Sequence, residues 1–183
     1  MVKCGDFISI FDFNSNQRIL LAMNLMGQYD CKADAKGRVT LPTALKNQLM
    51  PVINEDFVIK RAVFQKCLEL YPKSEFDGLM LQVRAKRNIS RDYDLFFRKF
   101  TAGMKKDVKV DSESGRLQIP KNLIEFAGIE KEVVLNAADD KIEIWDKDKY
   151  EAVLNESEDI YPDVAEKIFS NNGSDISQPG TAT

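Results

Sequence analysis

The chain has no histidine in its 183 residues. That removes the commonest general base, the commonest pH switch and the commonest metal ligand. Cysteine is also scarce: Cys4, Cys31 and Cys67 are isolated and odd in number. No CxxC spacing points to zinc, and no cysteine framework points to a stapled secreted domain. A reducing, cytoplasmic setting is the expectation. No apolar run approaches the roughly 20 residues that a membrane-spanning helix needs. The stretch 19–23 is short, is followed by polar residues and lacks a small-residue cleavage site, which argues against a signal peptide. A phosphate-cradling glycine loop, an activated nucleophile and a metal-ligand cluster are missing too. The sequence therefore predicts no enzyme, no cofactor, no metal site, no small-molecule substrate and no membrane partner.

What is present suits a globular protein, with 44% hydrophobic and 30% charged residues. The net charge of −3 looks unfavourable for nucleic acid. Its distribution matters more than its sum. Residues 151–183 hold seven acidic side chains and one lysine, which leaves +3 on the preceding 150 residues. Residues 84–109 alone hold nine basic and three acidic side chains. An acidic tail masks a mildly basic body, which permits nucleic-acid binding without requiring it.

Self-similarity organises the chain. Gly37-Arg38 and Pro42 match Gly115-Arg116 and Pro120 at an offset of 78, and Leu68-Glu-Leu-Tyr71 matches Ile142-Glu-Ile-Trp145 at an offset of 74. Two ordered matches mark a duplicated supersecondary unit. In each copy an alternating strand (Tyr29, Cys31, Ala33; Val108, Val110) leads into a polar turn that ends in glycine. The next strand turns Val39 and Leu41 one way and Arg38 and Thr40 the other; Leu117 and Ile119 oppose Arg116 and Gln118 likewise. Pro42 and Pro120 should start short helices, Thr43–Leu49 and Lys121–Ala127, with Gly128 as a stop. Hairpins follow, 57–60 with 68–71 and 133–136 with 142–145. Leu68, Leu70, Ile142 and Ile144 point inward, and Glu69 and Glu143 point out.

Between the copies, Phe76, Leu79, Met80 and Val83 repeat at helical spacing, as do Tyr93, Phe96, Phe97, Phe100 and Met104. Asn88 and Ser90 interrupt these two amphipathic helices and offer capping oxygens. A further helix is expected over 146–154. The division is a leader at 1–26, a first repeat at 27–76, a helical insert at 77–104, a second repeat at 105–150 and a partly disordered acidic tail at 151–183.

The run Asp34-Ala-Lys36-Gly37-Arg38 with Leu41-Pro42 resembles the first signature of the MraZ family. Gly115-Arg116-Leu-Gln-Ile-Pro120, the segment 127–135 and Glu143-Ile-Trp-Asp146 resemble the second. The likeness covers residues 27–150. It implies an α+β, mainly β fold: a double-split, swapped-hairpin, AbrB-like β-barrel formed by the two repeats, with a helical insert and a C-terminal helix. It implies a ring-shaped homo-oligomer on the nucleoid that binds repeated promoter sites on double-stranded DNA. The targets it implies are the protein's own operon and the division and cell-wall gene cluster, under repression. The rival reading is an AbrB-like oligomeric interaction module, or an antitoxin-like one, without that operator.

Read from the residues alone, Asp34 and Arg38 make an ordinary surface ion pair of small value. The resemblance makes Arg38 a DNA contact, with Asp34 orienting it and Lys36 meeting phosphate. Gly37 and Gly115 support the turns. Arg116 is the matching DNA-binding candidate, but Ser114 stands in the lysine's place. The second copy also has one extra residue, so that Ser112 aligns with Asp34. A lost or bulged Asp–Arg pair is expected there. Arg84, Lys86, Arg87 and Arg91 read as a solvated face. Phe96, Phe97 and Phe100 read as core or subunit interface, and Trp145 as packing.

Overall fold

A computed structural model describes residues 24–171. In the first copy β1 (Leu25–Lys32) and β2 (Arg38–Thr40) precede α1 (Thr43–Leu49) and the hairpin β3 (Phe57–Arg61) and β4 (Leu68–Pro72). The insert holds α2 (Lys73–Ala85) and α3 (Arg91–Thr101). The second copy repeats the order with β5 (Lys105–Val108), β6 (Arg116–Gln118), α4 (Lys121–Ala127), β7 (Glu132–Asp139) and β8 (Lys141–Asp146). Two further helices follow, α5 (Lys147–Ser157) and α6 (Tyr161–Asn171). The fold is α+β, with its strands in antiparallel sheets.

Local chemistry sets the boundaries. Pro42 and Pro120 hold extended backbone (ψ 148° and 138°) immediately before α1 and α4, so each proline fixes the entry to its helix without a missing donor being felt. Gly128 ends α4 at φ 61°, its N–H donating to Ile124 O, the left-handed stop that glycine adopts without a Cβ clash. Ser90 caps α3 by accepting from the Tyr93 N–H at 3.1 Å. At the other end β1 starts at Leu25, inside the expected leader, because Leu25 is a buried core residue. The stretch 19–23 and residues 172–183 lie outside the described residues. The segment 161–171, expected within a partly disordered tail, is helical. Of the described residues, 148–171 form a second compact unit, in which Val164 N–H donates to Ile160 O at the start of α6.

The strand order is β1-β7-β8-β4-β3-β5, with β2 and β6 in a separate two-stranded ribbon. Each copy lends its opening strand to the other: β1 pairs with β7 over Leu25↔Asp139 to Lys32↔Glu132, and β5 pairs with β3 across a bulge. Two central pairings then join equivalent residues. Val39 opposes Leu117 in the ribbon, and Glu69 opposes Glu143 where β4 meets β8. A duplication about a twofold axis requires this, since where two antiparallel strands cross the axis the residue on it must pair with its own counterpart. Single bridges, Ala33↔Val39 and Val110↔Leu117, tie the ribbon to what precedes it. Among the described residues no strand pairing closes the large sheet; β1 and β5 are its two edges, so the closed barrel implied by the resemblance is not found.

Alternation along the strands separates two cores. Phe57, Ile59, Leu68, Leu70, Ile142 and Ile144 face the ribbon and helices α1 and α4, where Val39, Leu117, Leu45 and Leu123 complete the main core. The opposite face of the β3–β4 hairpin carries Val58 and Tyr71, which pack with Phe76 of α2 and Phe100 of α3. That cover changes the environment of Glu69. It points away from the main core as expected, yet it is buried rather than solvated.

Two carboxylates opposite each other in a dry sheet repel unless they are neutralised. Lys60, on β3, is fully buried; its ammonium pairs with Glu69 and lies 4.5 Å from the Phe100 ring centre. Lys141 bridges both acids, at 2.6 Å to Glu69 and 3.5 Å to Glu143. Glu143 also accepts from Asn136 Nδ2 and Trp145 Nε1. Burial pushes the Glu69 carboxyl upward, but the hydrogen bonds from Lys141 and Lys60 outweigh it and hold the group below the usual carboxylate range.

Lys60→Ala leaves a buried carboxylate short of one cation and is expected to cost about 3–5 kcal/mol in urea denaturation. Lys60→Met combined with Glu69→Leu should cost less than the sum of the two single changes. The folded-state pKa of Glu69 is depressed, so its contribution is complete above the ordinary carboxylate pKa and is lost as pH falls through the lowered value. An acid titration of stability should show that loss in the native chain and not in the double variant.

Candidate nucleic-acid interface

The β2–β6 ribbon gathers the residues that the two turns position. Its inner face is Val39 and Leu117, both fully buried. The side chains at alternate positions must then point outward. Arg38 stands opposite Gln118, and Thr40 opposite Arg116. These four share one face, with the two arginines on a diagonal of about 7–8 Å. Two elements far apart in sequence thus present two guanidiniums and an amide together.

Each turn is locked to the other copy. Leu41 N–H donates to Gly115 O at 2.9 Å, and Ile119 N–H donates to Gly37 O at 3.0 Å. Both glycines take positive φ, 76° and 68°, and both are buried. Gln118 Nε2 donates to Lys36 O at 2.8 Å, and Lys46 Nζ to Glu113 O at 2.9 Å. Neither turn keeps its geometry without the opposite repeat.

The first turn is held by one carboxylate. Asp34 Oδ1 accepts from the backbone N–H groups of Lys36 and Arg38, at 2.9 and 3.0 Å. Asp34 Oδ2 accepts from Arg38 Nε at 2.6 Å and forms an ion pair with Nη2, also at 2.6 Å. The Arg38 bonds, side chain first, hold the Asp34 carboxyl down at about 2. The guanidinium is thereby fixed along one edge, with Nη1 left beyond the pair. Lys36 is exposed at the tip.

The second turn absorbs its extra residue internally. Asp111 N–H donates to Arg116 O at 2.9 Å, as Asp34 N–H does to Arg38 O. By this bonding Asp111, not Ser112, takes the place of Asp34. The closing bond is one residue longer, from Gly115 N–H to Asp111 O rather than the three-residue step from Gly37 to Asp34. The Asp111 carboxylate turns inward to the N–H and Oγ of Ser114, both at 2.6 Å, and these bonds lower its pKa. Arg116 is exposed and, among the described residues, makes no ion pair. The expected loss of the Asp–Arg pair is what the structure has. Arg84, Lys86, Arg87 and Arg91 are exposed around the junction of α2 and α3, away from the ribbon strands.

A family model described as MraZ protein, putative antitoxin-like, matches residues 24–96 and again 103–171. The chain belongs to the MraZ family. A transcriptional regulator MraZ of Christiangramia forsetii is 52% identical over 153 residues, covering 84% of this chain and 97% of that protein. Its counterpart in Flavobacterium psychrophilum is 43% identical over 151 residues, covering 82% and 95%. That of Cytophaga hutchinsonii is 36% identical over 144 residues, covering 79% and 93%.

The two MraZ matches each carry one turn, one ribbon strand and one hairpin. The first match takes in α2 and part of α3, and the second reaches the end of α6. Sequence reasoning picked out Lys36, Arg38 and Arg116 but passed over Gln118, Thr40 and Lys46. The outward direction of Gln118 and Thr40 was legible in the alternation. Their place beside the arginines depends on the β2–β6 register, which no local pattern encodes. Among the described residues no cluster of potential metal ligands occurs, and no helix is long and apolar enough to cross a membrane.

A Cβ on Gly37 would come within 2.2 Å of Ile124 Cδ1, whereas on Gly115 the nearest atom is Leu41 O at 3.1 Å. Both substitutions also carry the positive-φ penalty of about 1–2 kcal/mol. Ile124 Cδ1 ends a partly buried side chain that can turn aside, and each Cβ then meets a backbone carbonyl at a similar distance, Ile119 O at 3.2 Å and Leu41 O at 3.1 Å, so the two alanine variants should lower the melting temperature by similar amounts, measured calorimetrically. The Asp34 pKa is depressed, so its bond to Arg38 persists through mild acid and breaks only as pH falls through about 2. The Arg38 Nε–H resonance should stay constant from neutral pH to about 3; in Asp34→Ala it should lose that protected position at every pH.

Proposed function

We propose that the chain is a DNA-binding transcriptional regulator that reads double-stranded DNA with the outer face of the β2–β6 ribbon. The observation that carries this reading is the juxtaposition of Arg38, Gln118, Thr40 and Arg116 on one exposed face, backed by a dry core. The B-DNA major groove, about 12 Å wide, admits a two-stranded ribbon. Arginine grips guanine O6 and N7 through two donors; Gln118 Nε2 is already given to the Lys36 and Ile119 carbonyls, so its Oε1 is what it offers to a base amino group. Asp34 occupies only the Nε–Nη2 edge of Arg38, so the Nη1–Nη2 end remains for a base. The held pose reduces the freedom lost on binding. Asp34 also cancels the pair's net charge. Arg38 then supplies direction, while Lys36 and Arg116 supply attraction to phosphate.

The names of the MraZ relatives support regulation of transcription. We extend this to repression of the chain's own operon and of the division and cell-wall gene cluster. It would act in the cytoplasm, on the nucleoid. A ring-shaped homo-oligomer would set several ribbons on successive promoter repeats. Weak single contacts then gain through effective concentration. The antitoxin-like description of the matching family keeps a second reading in view, in which the same turns serve a protein partner.

Titration with a promoter fragment tests the proposal. Arg38→Ala should cost about 1–3 kcal/mol per engaged subunit with melting temperature and mass unchanged. Arg116→Ala, whose guanidinium is not held, should cost less. Affinity should fall with salt at a slope of about 0.9 per phosphate neutralised and rise with the number of repeats. Equal losses for both arginine variants would remove the asymmetry. Binding insensitive to both would favour the protein-partner reading.

A further inference from the structure

The β3–β4 hairpin loop, the end of α3 and one side of α4 enclose a groove of about 360 Å³. Clefts that hold small molecules span roughly 300–1,000 Å³. Three cations line this one, Arg61, Lys66 and Lys99, and no carboxylate does. Among the described residues none of the three joins an ion pair. Two of them are held against one ring: the Arg61 guanidinium and the Lys66 ammonium lie 4.5 and 4.7 Å from the Phe126 ring centre. Like charges gathered in this way repel, and an anion between them removes the repulsion. Arg61 Nε is shielded from solvent and has no hydrogen-bond partner. A guanidinium with no acceptor of its own in the protein is a ready grip for an anion.

The remaining walls are aromatic. Phe96 packs against Phe100 with ring centres 5.4 Å apart, which limits its movement, and it still exposes part of its surface. Phe64 is 92% exposed at the hairpin loop, an apolar ring that gains by being covered. Flat rings beside cations suit a ligand that is flat at one end and anionic at the other. Charge selects the anionic end. A single carboxylate answers one of the three cations, whereas a phosphate chain answers all of them. Arginine meets phosphate oxygens with a planar fork, and lysine meets them as a point charge. Stacking on phenylalanine suits any base, since every base has a π-face. Gln65 also lines the groove, and its amide offers both a donor and an acceptor to a base edge.

We propose that this groove is a binding site for a nucleoside phosphate, with the phosphate chain among Arg61, Lys66 and Lys99 and the base against Phe64 and Phe96. No residue of the β2–β6 ribbon lines it. The site is therefore additional to the DNA-reading face and stands or falls without it.

Calorimetric titration of the full-length chain with adenosine, guanosine, cytidine and uridine diphosphates, without divalent cations or DNA, tests it. At least one should bind saturably. Adenosine and inorganic pyrophosphate, each half of such a ligand, should bind at least about tenfold more weakly. Lys66→Gln with Lys99→Gln, both exposed, should weaken the diphosphate at least about tenfold. Phe64→Ser should weaken it by about tenfold through lost stacking and leave pyrophosphate binding unchanged. A control variant at the exposed α2–α3 junction, Arg84→Gln with Arg87→Gln, should bind as the native chain does. Every variant should keep its far-ultraviolet dichroism spectrum. Absence of saturable binding by all the diphosphates up to about 1 mM overturns the proposal, as does binding that survives both groove variants. Pyrophosphate as tight as the diphosphates reduces the groove to an anion site and also overturns it. Equal loss in the control variant makes the binding non-specific, with the same consequence. Displacement of the bound diphosphate by a single-stranded oligoadenylate at lower nucleotide concentration assigns the groove to nucleic acid instead.

Discussion

Two glutamates face each other where β4 meets β8, and the duplicated architecture depends on that meeting being tolerated. A twofold repeat joined through antiparallel strands has no choice but to oppose like residues at its axis. At the ribbon the pair is Val39 with Leu117, which is harmless. In the large sheet it is Glu69 with Glu143, and the second layer of packing excludes water from one of them. Lys60 and Lys141 supply the compensating charge, but neither has a lysine counterpart in the other copy. Asn136 stands opposite Glu143 where Lys60 stands opposite Glu69. The neutral cluster is obtained by breaking the symmetry that created the problem.

The same divergence runs through the ribbon. Both turns use an aspartate whose N–H closes the loop and a glycine whose carbonyl accepts from the opposite repeat. One inserted residue then changes the loop's length, and with it the direction of the aspartate's carboxylate. In the first copy the carboxylate reaches Arg38 and holds it; in the second it folds back onto Ser114 and leaves Arg116 loose. The scaffold is shared and the recognition chemistry is not. Backbone pairing dictates where the arginines stand, while a single carboxylate decides how rigidly each is presented.

The insert between the copies gives the sheet its second covered face. Phe76 and Phe100 bury Tyr71 and Lys60, so the helices contribute to the electrostatics of the axis as well as to its packing. Only one side of α3 is used in this way. Phe96 and the hairpin tip at Phe64 remain in solvent, among cations that no acid of the same groove balances. Acidic residues concentrate instead over residues 151–183. Segregating charge in this way lets a weakly acidic chain carry basic working surfaces.

Much of this was readable in the residues themselves, because it depends on neighbours in the chain. Alternation fixed which side of each strand is apolar, prolines and Gly128 marked the ends of α1 and α4, and the internal matches exposed the duplication and the turn residues Asp34, Gly37 and Arg38. What lies across the sheet was not readable. No local pattern says that β1 pairs with β7, that β2 pairs with β6, or that Gln118 stands beside Arg38, since register between distant strands is set by the joint packing of both. Nor does alternation show that an outward-facing Glu69 will be covered by Phe100. The sequence by itself determined the elements, the repeat and the chemistry of the turns. Tertiary structure alone decided which elements meet, because strand exchange and burial are properties of the two copies folded together and of neither segment alone.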